Sequence, residues 1–317
     1  MDKILNKIQN TGILPVAALD DVRNAFPLAQ ALCAGNIFCI EVLSGTKAAE
    51  ESIAKIADGF PQMLVGAGDI RTVQEASRAV NAGAKFIITP EFSPSVITYC
   101  IDRAIPVIPG VSSSDELETA ISLGLHAVNL FPAGQDMERL TIQASQSSHN
   151  HINFIPAECI NENNVSAYPF SDHVLTCKWN MEPKLIQAGE FGKIRDQAST
   201  IIRTMLGFEF AHIGINLSTK TEADKTAGMF DAMFGFQKKP GTDSIFAGAS
   251  IECMTPPCFG TKGHIAIATN SIVSAKSYFE SAGYKFNEAS AKFINQKMIV
   301  IYFEEEVGGF AVHLLQR

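Results

Sequence analysis

The sequence predicts an α/β TIM-type (β/α)8 barrel followed by an α+β domain with a paired βαβββ order. Three observations lead to this fold class. The chain has 317 residues, more than a single hydrophobic core ordinarily supports. As far as residue 179, short apolar runs alternate with segments of helical spacing, and beyond residue 207 alternating strand-like runs take over. We therefore expect two domains, residues 1–206 and 207–317.

Eight apolar runs, each ending near a Gly, a Pro or a polar residue, define the first domain. The runs are ILPVAAL (13–19), FCIEV (38–42), QMLVGAG (62–68), KFIITP (85–90), IPVIPG (105–110), AVNLFP (127–132), INFIPA (152–157) and HVLTCKW (173–179). Eight strands separated by helix-length segments are typical of a closed barrel, and a doubly wound sheet, with fewer strands in this length, is the second choice. Residues 190–206 predict the helix that closes the domain.

The second domain repeats one order of elements. Its runs are AHIGINL (211–217), SIFAGASIECM (244–254), GHIAIAT (263–269), MIVIYFEEE (298–306) and FAVHLLQ (310–316). Two helical stretches, residues 222–234 and 272–282, each follow one of these strands. This pattern predicts a βαβββ unit used twice.

Composition narrows the class of partner. The net charge is −8 and no basic patch is present, which disfavours nucleic acid and anionic membranes as partners. No apolar stretch reaches the roughly 20 residues that span a bilayer, and the first eight residues have the spacing of an amphipathic helix rather than a signal peptide. Seven scattered cysteines indicate reduced thiols, so we expect a cytoplasmic protein.

Several ordered motifs in the first 200 residues resemble one enzyme family. They are IEV (40–42), VGAGD (65–69), ITPE (88–91), IPVIPGVSS (105–113) and VNLFPA (128–133). Together they are similar to the 2-keto-3-deoxy-6-phosphogluconate (KDPG)/4-hydroxy-2-oxoglutarate (KHG) aldolases, which cleave a 2-keto acid to pyruvate and an aldehyde through a lysine Schiff base. The resemblance implies a homo-oligomer that binds a small keto acid and needs no cofactor in its barrel.

Three positions match the functional residues of this family. Glu41 corresponds to its general acid/base, Pro90 to a proline of the substrate pocket and Phe131 to an aromatic wall. All three follow or end predicted strands, where barrel enzymes hold their reacting groups. The resemblance therefore implies a substrate pocket at the carboxyl ends of the strands.

Other positions depart from the family. Asn129 stands where the Schiff-base lysine is expected, and an amide cannot form an imine because its nitrogen lone pair is delocalised. Gly45 replaces the arginine that grips the substrate carboxylate, and Asp69 replaces a threonine. Glu158 places a negative charge in the turn that would bind phosphate. We expect ordinary Schiff-base aldol cleavage to be absent and a phosphorylated ligand to be disfavoured.

Three interpretations of the barrel stay open. It could be a non-catalytic module that binds a metabolite or a partner. Lys178, predicted at the mouth of the last strand, could supply a relocated amine, or could simply be solvated or ion-paired. Alternatively, four carboxylates at one rim could hold Mg²⁺ or Mn²⁺, namely Glu41, Asp69, Glu91 and Glu158.

The second half is similar to a glyoxalase/vicinal-oxygen-chelate (VOC) domain, in the motifs HIGI (212–215), MFGF (233–236), GHIAIAT (263–269) and GGFAVHLLQ (308–316). That resemblance implies a divalent metal, Zn, Ni, Fe or Mn, held by His212, Glu252, His264 and His313 for lyase or isomerase chemistry. Each histidine alternates with the apolar positions of its strand, as an inward-facing metal site requires. An outward polar face with hydrogen-bonded histidines would give the same alternation, so both readings remain.

Overall fold

The structure is a computed structural model that describes residues 3–130, 152–155, 161, 163–165, 177–241, 244–255 and 259–317. The chain divides into two compact units, Met1–Met205 and Leu206–Arg317. Within the described ranges, no helix combines the length and the apolar character needed to cross a membrane.

The N-terminal unit is built on parallel strands. Each of the eight predicted runs contributes a strand, and the fifth run contributes two short ones, on either side of Pro109. A proline has no N–H to donate to a neighbouring strand, which explains the interruption. The strands are β1 (Ile13–Ala17), β2 (Cys39–Leu43), β3 (Leu64–Gly68), β4 (Ile87–Ile88), β5 (Val107–Ile108), β6 (Gly110–Val111), β7 (Ala127–Leu130), β8 (Asn153–Ile155) and β9 (Cys177–Asn180).

Strand pairing follows the order expected of a barrel. One sheet has the order β5-β4-β3-β2-β1-β9 and a second has the order β6-β7-β8, with all pairings parallel. The helices between the strands are α1 (Lys3–Thr11), α2 (Ala25–Ala34), α3 (Ala49–Gly59), α4 (Val73–Asn81), α5 (Pro94–Ile101) and α6 (Ser114–Ser122), followed by α7 (Pro183–Gln187) and α8 (Phe191–Leu206). This curled parallel sheet with crossover helices fits a TIM-type domain.

The C-terminal unit contains the paired βαβββ order. Its first half is β10 (Glu209–Asn216), α9 (Lys220–Phe234), β11 (Lys238–Pro240), β12 (Ser244–Ala247) and β13 (Ile251–Met254). Its second half is β14 (Gly263–Thr269), α10 (Ile272–Ser281), β15 (Phe286–Ile294), β16 (Lys297–Val307) and β17 (Phe310–Gln316). They form one sheet in the order β11-β12-β13-β10-β14-β17-β16-β15, so the two halves meet through the antiparallel pair β10–β14.

Two details of this unit differ from the sequence prediction. The run at 244–254 is not one strand but two antiparallel strands, β12 and β13, because the chain turns at Gly248 with a φ of 66° that favours glycine. Strands β11 and β15 were not predicted. Their residues are mostly exposed and mix charged with apolar side chains, so neither strand shows a clean alternation.

Helix α4 begins with a reciprocal cap. The Thr72 hydroxyl accepts a hydrogen bond from the Glu75 N–H at 3.2 Å, and the Glu75 carboxylate accepts one from the Thr72 N–H at 3.0 Å. Such a capping box pairs two backbone donors that the helix itself leaves unsatisfied. It fixes the start of the helix directly after the loop that follows β3.

We predict that Thr72→Ala lowers the free energy of unfolding of the full-length protein by about 1 kcal/mol, because the helix loses its N-cap acceptor. Thr72→Ser, which keeps the hydroxyl, should retain most of that stability. Thr98→Ala, at an exposed position within α5, serves as the control and should change stability by less than about 0.5 kcal/mol. Urea denaturation followed by circular dichroism measures all three, and equal effects of the two alanine variants would contradict the assignment.

Candidate functional site

An acid and an amine face each other across strand β1. In the two pairings of β1, Glu41 of β2 is the partner of Val16 and Lys178 of β9 is the partner of Leu14. Val16 and Leu14 are two residues apart, so their side chains lie on the same face of the strand. The side chains of their partners, Glu41 and Lys178, lie on that face as well. Strand register therefore directs Glu41 and Lys178 to the same side of the sheet.

The two side chains form a buried ion pair. The Lys178 Nζ donates a hydrogen bond to Glu41 Oε1 at 3.3 Å and lies 3.1 Å from Oε2, a charge contact without hydrogen-bond geometry. The Glu41 side chain is 1 % exposed and the Lys178 side chain 15 %. Gly68 makes room for the carboxylate, because a Cβ on that residue would lie 2.0 Å from Glu41 Oε1. Only glycine permits this approach.

Burial sets the protonation behaviour of Glu41. Removal from water raises the pKa of the Glu41 carboxyl above its ordinary value, the Lys178 ammonium opposes that rise, and the nearby Asp69 carboxylate adds to it. Asp69 follows β3 in a left-handed conformation with φ 54°, and its Oδ1 accepts a hydrogen bond from Arg71 at 2.8 Å. Glu41 is thus a carboxyl group whose proton is held more tightly than in water, with an amine in contact.

The other predicted barrel residues are more dispersed. Asn129 is buried on β7, in the second sheet, where its N–H donates to the Pro109 carbonyl at 2.8 Å. Gly45 follows β2, and a Cβ there would meet no atom within 4 Å, so the position opens onto free space. Pro90 follows β4, and its carbonyl lies against Gly110. Phe131 and Glu158 lie outside the described residues.

The predicted carboxylate rim does not form a metal-binding group among the described residues. Three or more His, Cys, Asp or Glu side chains converge at one place in the described ranges, and that place is the histidine cluster of the C-terminal unit. Glu41, Asp69 and Glu91 form no such group, because Glu41 is directed to Lys178 and Asp69 to Arg71.

In the C-terminal unit, the structure brings the four predicted ligands together. The ring nitrogens of His212, His264 and His313 lie within 4.8 Å of one another. The Nε2 atoms of His212 and His264 are 3.1 Å apart. Glu252 Oε2 lies 3.3 Å from the first and 3.2 Å from the second. Donor atoms around one ion with bonds of about 2.0–2.1 Å are separated by roughly 3.0–3.4 Å. The three distances among His212, His264 and Glu252 have this spacing, whereas the 4.8 Å limit that includes His313 is longer.

Internal duplication explains why the four side chains converge. Strands β10 and β14 pair at Ile213 and Ile265, so residues one position earlier, His212 and His264, are equivalent in the two halves. Glu252 is the β13 partner of Gly214, and His313 is the β17 partner of Ala266. Gly214 and Ala266 are again equivalent, because each follows the paired isoleucine of its strand by one position. Each half of the unit therefore contributes the same two positions to the cluster.

Close packing and charge shape the cluster. A Cβ on Gly214 would lie 2.0 Å from the His264 ring, so this glycine makes room for it. Burial opposes ionisation of Glu252, but hydrogen bonds from His212 and His264 outweigh it and hold the pKa of that carboxyl well below its usual range. Burial, with repulsion from His264 and His212, lowers the pKa of His313 to about 3. At neutral pH His313 is a neutral imidazole, the form that binds metals.

The surroundings of the cluster include residues that sequence reasoning missed. The Ser244 hydroxyl donates to Glu252 Oε1 at 2.7 Å, leaving Oε2 turned to the histidines. The Tyr302 ring lies 4.5 Å from the His313 ring, centroid to centroid. His264 Nδ1 and both ring nitrogens of His313 are buried without a hydrogen-bond partner in the described residues. Ser244 and Tyr302 lie on β12 and β16, the strands next to those of Glu252 and His313. Only the strand register reveals that these residues are neighbours.

We predict that Lys178→Met leaves the Glu41 carboxylate buried without its cation and lowers the free energy of unfolding by about 3–5 kcal/mol at pH 8. Because the folded-state pKa of Glu41 is raised, stability is fully present below the ordinary value and is lost as pH rises through the folded pKa. Without Lys178 the folded-state pKa of Glu41 rises further, so the loss of stability extends to higher pH. At pH 5 the variant's free energy of unfolding should therefore be closer to that of the wild-type protein than at pH 8.

The double variant Glu41→Gln/Lys178→Met is the matched control, since it removes both charges. It should recover most of the stability lost in the single variant and show little of its pH dependence. Urea denaturation at both pH values provides the comparison, and a single-variant defect of the same size at pH 5 and pH 8 would rule out an uncompensated Glu41 charge as its cause.

Comparison with known proteins places the N-terminal unit. The KDPG and KHG aldolase family model matches residues 4–197. A 2-dehydro-3-deoxy-phosphogluconate aldolase of Treponema pallidum is 35% identical over 196 residues, 61% of this chain and 93% of that protein. A KHG/KDPG aldolase of Escherichia coli is 30% identical over 190 residues, 59% of this chain and 89% of its own length.

Among solved structures, a KDPG aldolase from Legionella pneumophila, with pyruvate captured at low pH as a covalent carbinolamine intermediate, is similar with a TM-score of 0.57 and 26% identity. The match covers 63% of this chain and 98% of that one. Its extent agrees with that of the family match. The chain belongs to the KDPG and KHG aldolase family.

Proposed function

We propose that the barrel is a carbon–carbon lyase for a small 2-keto acid, in which Lys178 supplies the amine and Glu41 the acid/base. The observation that supports this most directly is the contact between Lys178 Nζ and the buried Glu41 carboxyl, at 3.1 and 3.3 Å. A Schiff-base lyase needs an amine and a proton donor within reach of one carbonyl carbon. Asn129 cannot provide the amine.

The chemistry requires the proton of the pair to move. With Nζ deprotonated, its lone pair adds to the C2 carbonyl, and the resulting carbinolamine loses water to give an iminium ion. Glu41 takes the proton of the C4 hydroxyl, the electron pair of the C3–C4 bond moves into the iminium as the aldehyde leaves, and the resulting enamine takes the proton back at C3. Addition of water releases pyruvate and frees the amine. Glu41, whose buried carboxyl holds a proton tightly, is suited to give and accept protons at each of these stages.

The relatives supply the substrate class. The Treponema pallidum relative is named a 2-dehydro-3-deoxy-phosphogluconate aldolase, and the Legionella pneumophila structure holds pyruvate as a covalent carbinolamine. For this chain we propose an unphosphorylated 2-keto acid, because Glu158 stands in the stretch of sequence that resembles the family's phosphate-binding turn and its negative charge would repel a phosphate. A non-catalytic barrel that binds the same metabolite is the outcome if no adduct forms.

We predict that borohydride reduction in the presence of pyruvate attaches one reduced pyruvate to Lys178 of the wild-type protein. Intact mass followed by peptide mapping locates the adduct. Lys178→Met should abolish it, and Glu41→Gln should slow its formation by about 10²–10⁴-fold, the usual contribution of a general acid/base. Lys184→Met, at an exposed position on α7, is the control and should leave labelling unchanged.

A second variant separates the two possible positions of the amine. In Asn129→Lys/Lys178→Met, the amine returns to β7, and an adduct on residue 129 would show that the pocket still accepts pyruvate there. Labelling of the wild-type protein at a lysine other than Lys178 would contradict the assignment. Absence of any adduct would favour the non-catalytic barrel.

We further propose that the C-terminal unit is a VOC-type domain that binds a divalent metal. Its support is the convergence of His212, His264, His313 and Glu252 at equivalent positions of the two βαβββ halves. Both ring nitrogens of His313 are buried there without a hydrogen-bond partner among the described residues. Three imidazoles and one carboxylate suit Zn²⁺, Ni²⁺, Fe²⁺ or Mn²⁺. Such a metal, when bound, would polarise an oxygen atom of a substrate.

We predict that the full-length protein, stripped of metal with a chelator, binds Co²⁺ one-to-one and develops the visible absorption of a nitrogen- and oxygen-ligated ion. His264→Ala should abolish the spectrum. Ser244→Ala should weaken binding about 10- to 100-fold, because Glu252 loses the hydrogen bond that orients it. His126→Ala, an exposed histidine of the barrel, is the control. An unchanged spectrum in His264→Ala would exclude the cluster as the binding site.

A further inference from the structure

A cavity of the C-terminal unit lies on the opposite face of its sheet from the histidine cluster. The cavity has a volume of about 650 Å³ and is lined in part by Ile267, Leu314 and Phe303. Ile267 and Leu314 are cross-strand partners on β14 and β17. His313 of the cluster directly precedes Leu314 on β17, and its cross-strand partner on β16 is Tyr302. Alternate residues of a strand point to opposite faces, so the cavity and the histidines use separate sides.

Aromatic rings form one wall of this cavity. Phe279 lies 5.0 Å from Phe303 and 5.6 Å from Tyr284, with interplanar angles of 85° and 89°. Tyr284 and Phe303 are 6.1 Å apart at 78°. Three rings set nearly at right angles present faces in different directions, and Tyr284 is 58 % exposed. An aromatic face carries negative electrostatic potential and attracts a cation.

Carboxylates stand beside the aromatic wall. Glu304, Glu305 and Glu306 follow Phe303 along β16 and line the cavity, together with Lys285. Three carboxylates and one ammonium leave the lining with an excess of negative charge. All three glutamates are exposed, and the Glu306 carboxylate accepts hydrogen bonds from Thr261.

We propose that this cavity binds a small organic cation with an apolar body, of the substituted-ammonium class. The volume is typical of a small-molecule site. The apolar floor of Ile267, Val312 and Leu314 would cover the body of such a ligand, and the rings and carboxylates would face its charge. A carboxylate ligand would meet repulsion from the glutamates, and a neutral ligand would gain nothing from them.

The test compares three probes that share one aromatic ring and differ in charge on the full-length protein, namely benzyltrimethylammonium, benzyl alcohol and benzoate. Saturation-transfer difference NMR titrations give their affinities. We expect the cation to bind about two- to fivefold more tightly than the alcohol, in line with a cation facing aromatic rings at a partly exposed site. Benzoate should bind more weakly than either.

Variants assign the binding to this cavity. Glu305→Gln should weaken benzyltrimethylammonium about two- to fivefold without changing benzyl alcohol, and Tyr284→Ala should weaken both. Tyr284→Leu, which keeps an apolar side chain without the ring, should weaken the cation more than the alcohol and covers the case in which the alanine variant fails to fold. Phe234→Ala removes a comparably exposed ring that does not line the cavity and should have no effect.

Three results would overturn the proposal. They are benzoate binding at least as tightly as the cation, cation affinity that survives both Glu305→Gln and Tyr284→Leu, and loss of cation binding in Phe234→Ala. No detectable binding of the cation to the wild-type protein would also reject the proposal.

Discussion

The cost of removing charge from water governs the barrel of this protein. Glu41 is almost fully buried in the middle of a parallel sheet, where an isolated carboxylate would be strongly disfavoured. Lys178 compensates part of that cost from the far side of β1, and Gly68 gives the carboxylate space that no other residue would leave. A buried pair of this kind contributes little net stability, and a perturbed buried carboxyl in contact with an amine is what the proposed lyase chemistry would use.

The fold of the C-terminal unit brings the side chains of four predicted metal ligands to one point. The duplicated βαβββ order places equivalent strands next to each other, so that His212 and His264 become neighbours through the β10–β14 pairing. Glu252 and His313 occupy the second equivalent position, one on each side. The histidine nitrogens and the carboxylate oxygen consequently meet without any long loop. Ser244 and Gly214 then fix the orientation of Glu252 and the space for His264.

The same sheet separates two environments. One face carries the imidazoles and Tyr302, and the other carries the apolar floor of the cavity. Because side chains alternate along each strand, His264 and His313 face away from Ile267 and Leu314. A substitution in the cavity lining, such as Glu305 or Tyr284, can therefore be tested with little disturbance of the histidine cluster.

The sequence by itself determined the kind of architecture in each half. Continuous apolar runs located the eight barrel strand regions, because strands covered on both faces are apolar at nearly every position. Alternating runs and helical spacing located the repeated βαβββ order, because burial of one face leaves a periodic trace in the chain. It also singled out Glu41, Lys178 and the four residues of the histidine cluster as chemically able side chains. Local pattern failed at the turn of Gly248 and at the exposed strands β11 and β15, where no buried face imposes a period.

Which acid meets which amine was decided only by tertiary structure. Glu41 and Lys178 are 137 positions apart, and their contact depends on the register of two strands against β1, a relation that no local stretch of sequence encodes.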